Sequence, residues 1–494
     1  MHRYLYSFFF LLVTVCGVSS AENWPQGAGP ALNYAVSDAV IPTVWSVVDN
    51  RNIVWRKTLP ETGQSTVVVW DESLFFTTMV PVEADSEMGT DIVAYRVDAK
   101  TGETLWKREI HGTTPSRMSG CFGDSTTPAA VTDGESVVFL NGSGTIRCFD
   151  FSGEEKWSRN APIHVRAQPF LVNGTVIFHR AHEATPKEKS KPKKSRQDSR
   201  KDEFNPLKWN QLQALDLKTG EVRWTTACGT GIGCIPTYRS LPDGRSVVLV
   251  GRGGGHHPIE TPHGISLIDA ADGKVLWTLP LGGFQTTLTM SMDDRYAYVF
   301  HKGEHFAVDL KTSEVAIRHS IVRNVKVCRP TSAGHATGTE DFPVSKKRAV
   351  TQQSNLLVGE YHFFRRYQSD LVGRIHIRTG VVEYLEMPIK PVVNEMTNSR
   401  GFVVMGDPRS RKNNWGHHAS PIATAAGSVL LLPVMDGTVH VFDSDTDVFN
   451  QESLLSVNDL GPTGKAWTRA SVSVSSGRLY AHTIREIICI GESK

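Results

Sequence analysis

The 494-residue sequence lacks an excess of either charge, since 53 Lys and Arg stand against 51 Asp and Glu. A balance this close produces no long-range field, which excludes nucleic acid or an anionic membrane surface as a partner of the whole molecule. After the N-terminal segment, no apolar run is long enough to cross a bilayer. Cysteine is scarce: seven residues, none adjacent to another, and no C-x-x-C. An H-E-x-x-H helix motif is also missing, so the common thiol and zinc-peptidase metal spacings are excluded. GRGGG at 251–255 lacks the strand-to-helix setting of a phosphate loop.

The N-terminus carries a targeting segment. His2 and Arg3 give a positive end, Tyr4 to Val18 is mostly apolar, and Ser19-Ser20-Ala21 is a small-residue cleavage site. Cleavage is expected after Ala21. Val15 before Cys16 is too large for a lipoprotein signal. The mature protein is therefore expected to be exported, periplasmic or extracellular, with no transmembrane segment. Residues 22–51 show no strand periodicity and are expected to lie as an arm on the body. Six cysteines remain. Cys148 and Cys489 fall at equivalent strand positions and read as buried apolar residues, while Cys121, Cys228, Cys234 and Cys328 fall in loops. Cys228 and Cys234 bracket GTGIG and could close a small disulfide loop.

One pattern recurs along the chain. YRVDAKTGETLW, FDFSGEEKW, LDLKTGEVRW and IDAADGKVLW each run an apolar strand into Asp98, Asp150, Asp216 or Asp269. Gly102, Gly153, Gly220 or Gly273 follows, then a short strand ending at Trp106, Trp157, Trp224 or Trp277. An Asp accepting turn N–H groups and a Gly at positive φ are hairpin chemistry. Weaker copies follow at Asp309, His376 and Asp443, and a half copy at Gly491. The spacing of about 40 to 70 residues, with two further strand-like runs before each copy, points to four-stranded propeller blades. The last copy lacks its fourth strand, and Asn52 to Pro60 supplies a spare one in which Trp55 takes the missing Trp position. The expected fold is an all-β, eight-bladed β-propeller over 52–494. The ring is closed by the N-terminal strand pairing with the C-terminal blade, which removes open sheet edges.

The repeat A/L-D-x-x-T-G-x-x-x-W resembles the pyrroloquinoline quinone (PQQ)-like repeat family, which includes outer-membrane assembly lipoproteins and quinoprotein dehydrogenases. NWPQGAGP, NIVWRKTLP and GQSTVVVWDESLFFTT resemble its secreted bacterial branch. The resemblance implies that the Trp packs between blades. It also implies, for a dehydrogenase, a quinone at the ring centre, Ca²⁺ on oxygen ligands, an Asp base and a vicinal Cys-Cys lid. The chain has no Cys-Cys pair.

Strand direction alternates within a blade. Connections between the second and third strands, and between blades, therefore emerge on one face, and these are the long ones. That face is the expected binding face. It gathers Asp124, Arg166, His256, His257, Trp415, His417, His418 and Arg469 as ligand-binding candidates. His111, His164, His263, His335 and Trp467 fall there as well. His256-His257 and His417-His418 offer metal ligands or bases, but adjacent side chains on an extended chain point apart, and packing within loops is the competing reading. Arg166 and Arg469 stand near inner-strand starts, where a guanidinium could hold a carboxylate or bridge two blades. Residues 183–207 form a basic insertion, either an arm for an anionic polymer or a solvated loop. No catalytic constellation and no metal set is expected. The expected function is an exported, non-catalytic binding or scaffold propeller, its partner a protein or an anionic polymer or glycan, with no cofactor. The alternative is a quinoprotein-type oxidoreductase with PQQ and Ca²⁺ at the centre.

Overall fold

The computed structural model shows eight blades around one axis, each a four-stranded antiparallel sheet, three of them enlarged by extra strands. It describes residues 23–492 apart from 38, 84–85, 120–122, 164–166, 183–204, 227–234, 254–259, 285–289, 345–350, 352–354, 367–368, 388–395, 398–402, 405–421 and 463–464. The inner strands of blades 1 to 8 are Val68–Trp70, Val131–Thr132, Phe170–Val172, Thr237–Ser240, Ser291–Met292, Asn355–Val358, Thr424–Ala426 and Ser473–Ser475. The apolar faces of the middle strands bury between neighbouring blades, as in Val247 to Val250 and Ile487 to Ile490.

Where the repeat keeps its Trp, in blades 1 to 4 and in the closing strand, it makes a clasp from one blade to the next. Asp216 Oδ1 accepts the N–H groups of Lys218 and Thr219, which sets the turn. Gly220 then takes φ +69°, and a Cβ there would lie 2.6 Å from the Trp157 ring of the preceding blade. The Trp157 indole N–H donates to the Leu217 carbonyl at 2.8 Å. Trp106 donates to Phe151, Trp224 to Ala270 and Trp277 to Leu310 in the same way. The glycine is needed because the indole lies on the backbone where a side chain would be.

The ring closes with the same clasp. Ile53–Thr58 pairs antiparallel with Glu486–Ile490, placing Trp55 opposite Cys489. The Trp55 indole donates to Ala99 of blade 1 at 3.1 Å and lies against Gly102.

Residues 23–51 form a strap across the axis. Trp24 bridges Val69 of blade 1, and Gln26 bridges Val131 of blade 2. The Gln26 side chain accepts the Leu171 N–H of blade 3. The chain then turns, and Ala35–Val36 pairs in parallel with Ala425 and Ala426 of blade 7. It leaves along the outer strand of blade 7, where Asp459 accepts the Ser46 hydroxyl and the N–H groups of Val47 and Val48. Inner strands end on the face of the short turns, so the strap covers the axis at that end.

Two sequence expectations change. Val325–Thr331 and Gly334–Glu340 form a hairpin whose first strand adds in parallel to the outer strand of blade 6. Cys328 is therefore a buried strand residue rather than a loop cysteine, and His335 lies exposed on the outer hairpin strand rather than in a loop of the binding face. The cause is that VKVC is apolar on both faces: Val325 and Val327 bury on one side and Cys328 on the other. Cys148 and Cys489 are buried free thiols. Cys121, Cys228 and Cys234 lie outside the described residues. Among the described residues, no helix is long and apolar enough to cross a membrane.

Candidate functional site

Of the candidate residues read from sequence, Asp124 and Arg469 are described; Arg166, His256, His257, Trp415, His417 and His418 lie outside the described residues. Asp124 is buried and fully engaged. Its oxygens accept the Thr126 N–H and hydroxyl at 2.9 and 2.6 Å, and the Ser119 N–H and Gln64 side-chain N–H at 2.8 Å each. Burial pushes its carboxyl above the ordinary value, against the pull of those hydrogen bonds. Asp124 thus joins the strand that enters blade 1 to the loop that enters blade 2. Arg469, half-buried, stands two residues before Ser471, whose N–H donates to Thr66 of blade 1. Both residues therefore border the segment 64–66 at the blade 8, blade 1 and blade 2 junctions.

The other candidates have local explanations. The His263 ring packs on Gly253, which has φ +75°, so that glycine serves a tight contact rather than an approach to a ligand. Trp467 is buried. His111 is exposed and hydrogen-bonded to Asp91 at 2.7 Å, which raises its pKa. Asp91, Glu109 and His111 bring three possible ligand atoms within 4.8 Å, exposed on blade 1.

Sequence reading missed a cavity of about 240 Å³ on the short-turn face, beside the axis. Leu32 and Tyr34 of the strap form one wall. The inner strands of blades 4, 5 and 6 form the other, through Thr237, Ser291, Met292, Asn355 and Leu357 among others. The charged groups at its mouth are already paired: Arg239 binds Asp294, and Asp293 accepts the Tyr298 hydroxyl and two backbone N–H groups. A wider groove between blades 5 and 6 shares Arg239, Asp293 and Gly359 with this cavity. Nothing in the sequence marked it, because the strap has no periodicity and its wall residues are distant in sequence.

Behind the cavity, a hydrogen-bonded histidine pair joins blades 5 and 6. His305 Nε2 is 3.0 Å from His362 Nδ1, and His362 Nε2 is 2.7 Å from Asn355 Oδ1. Because an amide oxygen only accepts, His362 carries its proton on Nε2 and accepts from His305. Burial holds His305 down to about 3 and His362 well below its ordinary value. Both rings are neutral, and they serve as fixed hydrogen-bonding elements.

A calcium-bound quinone needs converging oxygen ligands with lone pairs to spare. Among the described residues, the one cluster of three possible ligand groups is Asp91, Glu109 and His111 at the surface, and the buried carboxylates form none. Asp124 is saturated, Glu383 pairs with Arg374 at 2.8 Å, Asp436 accepts the Thr438 N–H, and Glu260 stands beside Arg252 in blade 4. The described residues do not fit that group.

Comparison with known proteins agrees with this architecture. The profile of a family described as outer membrane protein assembly factor BamB matches residues 89–187 and 208–414. No curated protein matches the sequence. Among solved structures, quinohemoprotein alcohol dehydrogenase from Comamonas testosteroni is similar, with 13% identity and a TM-score of 0.54, over 96% of this chain and 81% of that one. Quinohemoprotein alcohol dehydrogenase from Pseudomonas putida has 14% identity and a TM-score of 0.53, over 96% and 81%. A europium-containing methanol dehydrogenase has 12% identity and a TM-score of 0.53, over 93% and 89%. These likenesses concern the fold. The clasp motif, the eight blades and the matched span together place the chain in one group: it belongs to the PQQ-like repeat family described as outer membrane protein assembly factor BamB.

Proposed function

We propose that the protein is an exported, non-catalytic propeller that binds a protein or an anionic polymer or glycan through its loop-rich face. The observation that carries this reading is the division of the connections between the two faces. The strand ends bordering 181–210, 226–236, 253–263 and 387–423 all lie on one face, while the other face carries mainly tight turns and the strap. Long connections held by a rigid ring are the usual place for recognition. The family description, an assembly factor, supports a binding role. The saturation of Asp124 supports it too, since a carboxylate with four hydrogen bonds is poorly placed to accept a further proton.

In this reading Arg166, Arg469, Trp415 and the pairs His256-His257 and His417-His418 are contact residues. The test is chemical cross-linking of the exported protein in its native envelope fraction, followed by mass spectrometry of the cross-linked sites. Cross-links concentrated in 183–207, 253–263 and 405–421 are expected. Cross-links confined to the short-turn face would overturn the proposal. Purified protein that carried quinone absorbance and oxidised an alcohol with a dye acceptor would establish the oxidoreductase reading instead.

A further inference from the structure

The strap shows how the axis of this propeller is filled. An inner strand has a partner on only one side, so its other edge presents unpaired N–H and C=O groups to the axis. Around the ring the strap meets four of these edges. It pairs with Val69, Val131 and Ala425–Ala426, and its Gln26 side chain takes the Leu171 N–H. Among the described residues, the inner edges of blades 4, 5 and 6 carry no such pairing. The cavity lies against those three edges.

We propose that the inner edges of blades 4, 5 and 6 form a binding site for a short extended peptide, seated in the cavity beside the N-terminal strap. The strap provides the precedent within the same molecule: extended backbone adds to inner edges both antiparallel, at Val69 and Val131, and parallel, at Ala425 and Ala426. Adding a strand to an exposed edge is a general mode of peptide recognition, with affinity from main-chain hydrogen bonds and selectivity from pockets for alternate side chains. The size is suitable. At about 30 Å³ per water in the liquid, the cavity of about 240 Å³ corresponds to about eight waters, room for one large side chain with its peptide group. Leu32, Met292 and Leu357 offer contact to an apolar side chain, while the Thr237 hydroxyl and the Asn355 amide are already engaged with Met290 and His362, so hydrogen bonds to the peptide fall to the main chain of the edges. The paired charges at the mouth favour an uncharged segment, because a charged group entering there would be desolvated without a free partner. The continuous groove between blades 5 and 6 gives the rest of the peptide a way out to the rim. This site does not depend on the loop-face reading and lies on the opposite face.

The test uses the intact protein and two capped tripeptides, acetyl-Leu-Thr-Leu-amide and the same peptide N-methylated at every peptide bond. Isothermal titration should show the first binding and the second at least tenfold weaker, since methylation removes the donors that strand addition needs. Leu357→Trp, which fills the cavity, should abolish binding while the circular dichroism spectrum and unfolding midpoint stay close to the parent. Leu357→Ala guards against misfolding of the larger variant and should retain binding. Equal binding of the methylated peptide, binding that survives Leu357→Trp, or no binding of the first peptide would each overturn the proposal.

Discussion

Tyr34 illustrates what the strap costs and contributes at a single residue. Its ring is buried in the core beside the cavity, yet its hydroxyl has no hydrogen-bond partner among the described residues. Burial raises its pKa, so it stays a neutral hydroxyl. A buried donor left unmade costs about 1–3 kcal/mol, and removing it relieves that cost. Tyr34→Phe is therefore expected to stabilise the protein by about 1 kcal/mol, read as a higher urea midpoint at unchanged slope. A lower midpoint would show that the hydroxyl is satisfied. The repeat glycines make a second case. Gly220 and Gly244 both have positive φ, at +69° and +85°, but a Cβ on Gly244 would meet nothing within 4 Å. Backbone strain alone costs alanine about 1 kcal/mol in such a position. Gly220→Ala adds a collision with the Trp157 indole, so it should cost about 2 kcal/mol more than Gly244→Ala. Equal losses in chemical denaturation would mean that the clasp yields without strain.

The clasp is also why the elements were legible in the sequence. Asp, Gly and Trp at fixed offsets report a local turn and one contact with the neighbouring blade, so the motif survives where the rest of the blade drifts. Even the closing strand could be assigned from Trp55 alone. The hairpin 325–340 is not legible in the sequence, because VKVCRPTSAGHATGTE has no such marker and its exposed outer strand alternates nothing apolar. The histidine pair was invisible for another reason. His305 and His362 sit on middle strands of blades 5 and 6, so only the packing of two sheets brings them together. That packing has a measurable consequence. The folded pKa of His305, about 3, lies below the unfolded value of about 6.5. As pH falls, the unfolded chain binds its proton first, so the stability present above pH 6.5 is lost progressively down through pH 3. At pH 5, about 1.5 units below the unfolded value, His305 alone should remove about 2 kcal/mol. The urea midpoint should drop between pH 7 and pH 5, and His305→Gln should flatten that drop. An unchanged pH profile in the variant would mean that the ring is hydrated in solution.

At the scale of the whole molecule, the two ends of the described chain make one blade, and the ring holds only if that blade holds. Each interior blade is covalently continuous through its four strands. Blade 8 is not: Ser473–Ser475, Arg478–His482 and Glu486–Ile490 come from one end, and Ile53–Thr58 from the other. Its outer strand is held by hydrogen bonds to Glu486–Ile490, by Trp55 on Ala99 and Gly102, by Lys57 to the Gly102 carbonyl at 3.1 Å, and by the strap clamped on Asp459. Within the four-stranded blades, the pairing of Ile53–Thr58 with Glu486–Ile490 joins strands from distant parts of the chain with no hairpin between them, so the ring is expected to open there. Trp55→Ala removes the clasp that fixes the closing strand to blade 1 and should cost about 3 kcal/mol. Trp157→Ala removes the equivalent clasp between blades 2 and 3, away from the seam. In hydrogen exchange, Trp55→Ala should speed the amides of 53–58 and 486–490 together and by a similar factor, whereas Trp157→Ala should leave them near the parent rate. If the two strands lost protection independently, or if Trp157→Ala loosened them equally, ring opening would not start at the seam, and the strap would be holding the axis rather than the closure.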